Sequence, residues 1–187
     1  MTHLGTVQLE TDRLILRRFV MEDAEAMFNN WASDDDVSKY LTWPTHASVE
    51  VSRSLLTDWV AGYEKPDAYR WAIELKDCGT VIGDISVVRC VEKVKMVSIG
   101  YCIGKAWWRQ GYVTEALVRV LKFFFEEVKM NRVEAYYDPR NPNSGKVMEK
   151  AGLRYEGTNR ETSVNNQGIC DEVVCAMLAK DYFGHEN

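Results

Sequence analysis

Six residues, Trp108-Arg109-Gln110-Gly111-Tyr112-Val113, stand between a strand-like run and the most strongly periodic helical stretch of the chain. A glycine at a helix mouth lets backbone amides turn outward with no Cβ in the way. A helix N-terminus carries roughly half a positive charge and several unpaired N–H groups, so the chemistry offered is binding of a phosphate or pyrophosphate. Arg109 can add charge beside it. The stretch lacks G-x-x-x-x-G-K-[ST] and G-x-G-x-x-G, so neither a P-loop nor a dinucleotide fingerprint is present. An ordinary strand-to-helix turn is the plainer reading of Gly111 taken alone. A second polar pair, Asn141 and Ser144, opens a shorter helix, where both residue types serve as caps or as ligands. The five cysteines form no C-x-x-C, and the three histidines are His3, His46 and His185. That pattern argues against zinc and against a disulfide framework, and favours reduced thiols. A nucleophilic cysteine needs a histidine, and the terminal His3 and His185 are poor partners.

The elements that must hold these groups are read from periodicity. Ile99, Tyr101 and Ile103 alternate with Gly100 and Cys102, as in a strand. Val113, Ala116, Leu117, Val120, Leu121, Phe124, Phe125 and Val128 line one face of a long helix. Upstream, residues 13–19 read as a strand and 21–32 as a helix. The run Ser33-Asp34-Asp35-Asp36 breaks that helix and caps the next element. Residues 48–64 form a second helix with Val51, Leu55, Trp59 and Tyr63 inward. Three strands, 69–75, 81–88 and 94–103, are joined by short polar loops and pair antiparallel. Downstream come a strand at 132–137, a helix from Asn141 that Gly152 stops, and a hairpin about Asn165–Gly168. The order is β-α-α-β-β-β-α-β-α-β-β. A helix between the fourth and fifth strands implies a parallel crossover there. The fold class is therefore α/β (α+β), a mixed, mostly antiparallel seven-stranded sheet flanked by helices, in one domain over residues 1–187 with no linker or repeat.

Composition sets outer bounds. At 187 residues with 46% hydrophobic and 27% charged residues, the chain can bury a substantial core. A net charge of −5 with no Lys/Arg run argues against nucleic acid and suits a cationic partner. No apolar run of about 18 residues suggests a membrane span, and residues 1–10 have no signal-peptide core, so a cytoplasmic location is expected.

The Gly111 loop resembles the acetyl-CoA loop [Q/R]-x-x-G-x-[G/A] of the GNAT N-acetyltransferase superfamily, with Trp108 and Val113 in the first and last places. The Trp-x-x-Gly-Tyr-x-Thr-Glu-Ala form is similar to the ribosomal-protein N-terminal acetyltransferase branch. Leu9-Glu10-Thr11-Asp12-Arg13-Leu14-Ile15-Leu16-Arg17 with Asp23-Ala24, and Asn141-x-x-Ser144 with Glu149-Lys150-Ala151-Gly152-Leu153, extend the likeness along the chain. The resemblance implies acetyl-CoA as co-substrate and no metal. It implies that the strand near Cys102 and Ile103 holds the thioester and pantetheine. The amides of Arg109, Gln110, Gly111, Tyr112, Val113 and Thr114 would hold the pyrophosphate, and Asn141 the pantetheine arm. The tyrosine acid of many relatives is replaced here by Met148, and Ser144 is the implied donor to the departing thiolate. A glutamate common before Ile-Gly-Tyr is Ser98 here. Asp84, Glu161 or water stand open as the base. Trp31, Trp43, Trp71, Tyr136 and Tyr137 are candidates for an amine pocket or for core. The expected activity is acetyl transfer by direct attack of a primary amine, either a protein N-terminal α-amine or a small molecule, in a ternary complex. A non-catalytic acyl-CoA sensor on the same scaffold and a nucleotide-phosphate enzyme are the rivals. No nucleic-acid or membrane partner is expected, and a homodimer is left open.

Overall fold

The computed structural model describes residues 1–184. One sheet organises them. Its strands are β1 (Leu9–Glu10), β2 (Leu14–Arg17), β3 (Arg70–Leu75), β4 (Val81–Val91), β5 (Met96–Ile103), β6 (Arg132–Tyr137), β7 (Arg154–Asn165) and β8 (Gly168–Leu178). They lie in the spatial order β1-β2-β3-β4-β5-β6-β8-β7. The sheet thus has eight strands, the seven expected plus β1, a two-residue edge strand too short to carry a period. All neighbours pair antiparallel except β5 and β6, which are parallel. The helix-bearing crossover between these two requires that.

Helices cover both faces. On one side α4 (Tyr112–Lys122) continues through a π-type turn, Phe123–Val128, and packs with α5 (Pro142–Lys150) on Trp71, Ile85, Ile99 and Val133. On the other lie α1 (Ala24–Met27), with a π-type continuation to Ala32, and α3 (Val49–Gly62). Between them α2 (Asp35–Ser38) starts where Asp34 accepts a 2.8 Å bond from the Asp36 amide, as the acidic run suggested. The inward face of α3 is shifted from the sequence reading. Ser52 and Leu56 are fully buried, whereas Val51 is exposed, because the helix docks against Phe19 and Trp31 rather than along a single 3.6-residue stripe. A last helix, α6 (Ala179–Gly184), comes after β8.

The feature that matters for function is where β5 and β6 stop pairing. Their ladder runs from Met96↔Arg132 to Ile99↔Ala135 and ends there, although both strands continue. At the same level β4 carries an extra residue, Val88, between the pairs Val87↔Ile99 and Arg89↔Ser98. A bulge bends its strand and increases the twist, which turns the upper half of β5 away from β6. A Cβ on Gly100 would come within 2.9 Å of the Val88 side chain, so the bulge sits directly over that glycine. Gly83 is tighter still: a Cβ there would lie 2.2 Å from the Cys102 carbonyl oxygen. Backbone cannot yield as a side-chain tip can, so Gly83→Ala is expected to cost about 3 kcal/mol and to lower Tm by roughly 6–12 °C, read by calorimetry.

Candidate functional site

Above Ile99 the edge of β5 that faces β6 has no strand beside it, which leaves residues 100–103 open on that side. A cavity of about 480 Å³ passes through this opening, lined by Gly100, Tyr101 and Cys102 of β5, Tyr136 and Tyr137 of β6, and Asn141 and Ser144 of α5. An unpaired edge accepts an extended amide-bearing ligand as an added strand.

Beyond the C-terminal end of β5 stands the mouth of α4; Ile103 and residues 109–114 are not among those lining the cavity. Gly111, its N-cap, has φ +83°, and Arg109 also lies in the left-handed region at +62°. The first helical bond runs from the Glu115 amide to the Gly111 carbonyl, 3.0 Å, and among the described residues the amides of 112–114 make no hydrogen bond. They are the orphan donors of a helix start. Val113, whose bulk could have crowded this mouth, is buried in the core beneath the helix. The loop is held from outside by Arg13, whose guanidinium pairs with Glu115 at 2.6 Å, donates to the Gln110 carbonyl at 3.1 Å and lies over the Tyr112 ring. Thr11 donates to the same Glu115 carboxylate at 2.6 Å. Burial pushes the Glu115 pKa up, but the Thr11 and Arg13 hydrogen bonds outweigh it and hold the carboxyl below its usual range. Gln110 turns its side chain back to the Ala106 carbonyl, 2.9 Å. Trp108 donates to the Ile103 carbonyl at 2.9 Å, tying the loop to the end of β5.

Across the cleft, the Asn141 side chain makes no capping bond to α5, although Asn141 is the N-cap residue. Ser144 does not cap either. Its hydroxyl lies 3.1 Å from the Tyr101 hydroxyl, which donates to the Ser144 carbonyl at 2.9 Å. Burial pushes the Tyr101 pKa well up, so this hydroxyl stays protonated. Tyr101 was not singled out in the sequence, because its place in the strand alternation reads as core. Met148 is fully buried, so that position supplies no acid. Gly145 admits the Tyr137 ring: a Cβ there would lie 2.5 Å from it.

The opposite face of the sheet forms the other end of the cavity, with Trp31, Trp43, Tyr136 and the carboxylates of Asp84, Asp138 and Glu172. Trp71 is not among these aromatics. It is wholly buried in the core and donates to the Val7 carbonyl. Asp84 is ion-paired with Arg70 at 2.7 Å and accepts from the Cys102 thiol at 3.0 Å. Burial, then the neighbouring Asp84 charge, raises the Cys102 thiol well above its ordinary pKa, so it is no nucleophile. Glu161 does not line the cavity; it lies on an irregular stretch of β7 beside a shallow hollow that shares Ser163 and Val164 with it. His46 is a packing residue, buried against Ser52 at 2.8 Å, and His185 lies outside the described residues. Among the described residues there is no cluster of three His, Cys, Asp or Glu side chains able to hold a metal, the cysteines are all free, and no helix is long and apolar enough to cross a membrane.

Residues 13–154 match the family described as "Acetyltransferase (GNAT) domain". A Bacillus subtilis protein described as "Uncharacterized N-acetyltransferase YoaA" is 33% identical over 170 residues, covering 91% of this chain and 96% of its own. The ribosomal protein uS5-alanine N-acetyltransferase of Escherichia coli is 23% identical, covering 97% of this chain and 95% of its own. A GNAT-family acetyltransferase structure from Bacillus anthracis superposes with a TM-score of 0.82 at 27% identity, over 93% of this chain and 99% of that one. The chain belongs to the GNAT acetyltransferase family and is an acyltransferase.

The loop that opens α5 depends on Asp138, whose carboxylate holds Arg140 at 2.6 Å and the Asn165 amide at 2.8 Å. The Arg140 bonds draw its pKa down to about 2. A depressed carboxyl stabilises the fold above its unfolded pKa, about 3.9, and that contribution is lost as pH falls through the folded value. Asp138→Asn should therefore lower Tm at neutral pH, and the difference from the parent should vanish between about pH 4 and 2, followed by thermal melts across that range.

Proposed function

We propose that the chain transfers an acetyl group from acetyl-CoA to a primary amine by direct attack in a ternary complex. The observation that carries this reading is the parting of β5 from β6, with an aromatic, carboxylate-lined chamber at the opening and the orphan amides of α4 beyond the end of β5. The family to which the chain belongs supports acetyl-CoA as the acyl donor.

The residues present fit that donor. The amides of 112–114 and the Arg109 side chain suit the pyrophosphate. The open edge at residues 100–103, with Cys102 and Ile103, suits the pantetheine amides, and the uncommitted Asn141 side chain suits the same arm. Positioning of this kind supplies much of the rate in acyl transfer. The departing thiolate needs a proton or a strong hydrogen bond, and Ser144 Oγ is the donor placed beside the opening. Tyr101 acts through Ser144, fixing its backbone and hydroxyl.

The acceptor is read as a protein N-terminal α-amine or a small amine. The uS5-alanine relative supports the first, and the aromatic and acidic lining supports an ammonium-bearing group of either kind. No nucleic-acid or membrane partner enters this reading. A homodimer is compatible with this reading. A cytoplasmic location, where acetyl-CoA and reduced cysteines are found together, is consistent with it. The burial of Val113 removes one reason for reading the fold as a non-catalytic sensor.

In a thermal-shift assay acetyl-CoA should raise Tm and ATP and NAD should not; stabilisation by ATP or NAD alone would sink the reading. Gly111→Val puts a branched residue at φ +83° and should weaken acetyl-CoA binding by at least about tenfold. Ser144→Ala should lower kcat by roughly 10–100-fold with little change in acetyl-CoA affinity. Unchanged turnover would remove Ser144 from the chemistry.

A further inference from the structure

Amine acetylation at neutral pH needs a group that takes a proton from the ammonium. Such a base needs a free lone pair facing the acceptor and a pKa lifted toward neutrality. The cavity holds four carboxylates: Asp84, Asp138, Asp171 and Glu172. Asp84 is occupied by Arg70, Ser86 and the Cys102 thiol. Asp138 is bidentate with Arg140 and accepts from Asn165, and the Arg140 bonds draw its pKa down to about 2. Asp171 accepts from the Glu161 amide and braces the β7 irregularity. Glu172 is the one left. Among the described residues it has no ion pair, and its polar partner is the Ser163 hydroxyl on the neighbouring strand.

Its position also suits the task. Ser98 pairs with Glu134, Tyr136 with Val174, and Glu172 lies two residues along β8 on that same face. This is the face that carries Asp84 and Cys102, away from α5. Tyr101 and Ser144 meet on the α5 side. A base and a proton donor therefore flank the opening from opposite sides of the sheet. An amine entering from the aromatic side would reach the opening on the face opposite Ser144.

We propose that Glu172 is the general base that accepts the acceptor's proton. The proposal rests on the acetyltransferase reading above. Glu172 takes one proton from the ammonium and later releases it to solvent. The nitrogen lone pair forms the C–N bond at the thioester carbonyl carbon, and the C–S bond breaks with its electron pair on sulfur. Ser144 gives its hydroxyl proton to the thiolate and is reprotonated by the second proton leaving nitrogen. The products are the amide and the free thiol.

The charged and titratable groups around Glu172 agree with this role. On β6 these are Glu134, which pairs with Arg132 and accepts from Tyr136, and Asp138, which pairs with Arg140. On β8 they are Asp171 and Cys170, and across the cavity the Asp84–Arg70 pair and Tyr40. Burial raises the Glu172 carboxyl, the Ser163 hydrogen bond lowers it in part, and the Glu134 charge raises it further.

The test uses acetyl-CoA with spermidine, tyramine and alanine- or serine-headed peptides as acceptors. For whichever is turned over, Glu172→Gln should lower kcat/KM by about a hundredfold or more near neutral pH. The deficit should shrink as pH rises and the free amine forms without help. Glu172→Asp should recover part of the rate. Ser163→Ala should move the acid limb of the pH profile upward, because the hydroxyl that favours the charged carboxylate is gone. Acetyl-CoA binding should be unchanged in all three variants. With binding intact, a Glu172→Gln enzyme within threefold of the parent and of unchanged pH profile overturns the proposal alone. Failure of the parent to bind acetyl-CoA overturns it together with the reading beneath it. Independently of any acceptor, the carbon-13 carboxyl signal missing from Glu172→Gln should titrate above the ordinary glutamate value, about 4.3; a titration at or below that value overturns the assignment.

Discussion

The structure depends on one interrupted ladder. β5 and β6 are held together below Ile99 and Ala135 and part above them. Just below the last pair, Ser98 donates to Glu134 at 2.9 Å, and Glu134 is itself held by Arg132 and Tyr136. This buried network keeps the lower halves of the strands together, while the β4 bulge at Val88 turns the upper half of β5 aside. A parallel pair that stayed closed would leave no open edge and no passage between the two faces of the sheet.

Each face then contributes what its environment allows. On the α4–α5 side the groups are amides, hydroxyls and a carboxamide: orphan N–H donors at Gly111, Asn141, and the Tyr101–Ser144 pair. These suit phosphate, amide and sulfur, none of which needs a counter-charge buried deep in the core. On the α1–α3 side the groups are aromatic rings and carboxylates, with Asp84 and Asp138 each tied to an arginine. Those pairs fix strands and loops around the chamber, and Asn166 ties the β7–β8 turn to the segment bearing Trp43 by donating to the Ser38 and Trp43 carbonyls at 2.8 Å. The ion pairs are structural, which leaves Glu172 chemically available.

The helix mouth proposed for acetyl-CoA was legible in the sequence because it is built from a contiguous segment. A strand, Gly111 and an amphipathic helix specify a helix mouth whatever the rest of the chain does. Asn141 and Ser144 were legible for the same reason, one turn apart at a helix start. The Thr11-x-Arg13 motif was visible as a pattern, but its use was not. Only the fold brings Arg13 to Glu115 and the Gln110 carbonyl, a separation of about a hundred residues that no local period encodes. The chamber proposed for the acceptor was poorly legible. Asp84 and Glu161 looked alike as strand carboxylates, yet one lines the cavity and the other an adjoining hollow. Tyr101, Tyr137 and Trp71 are all aromatic strand residues, and only the opening between β5 and β6 separates the first two from core.

The sequence by itself determined the periodic elements, their order, the parallel crossover and the glycine at the mouth of α4, since each is set by side-chain spacing or backbone freedom over a few consecutive residues. The tertiary structure decided where the sheet opens, which hydroxyls meet across the gap and which carboxylates find an arginine. Those outcomes depend on register, twist and a one-residue bulge. A shift of one residue in any strand would exchange its two faces and move Glu172, Asp84 and Tyr101 to the wrong sides.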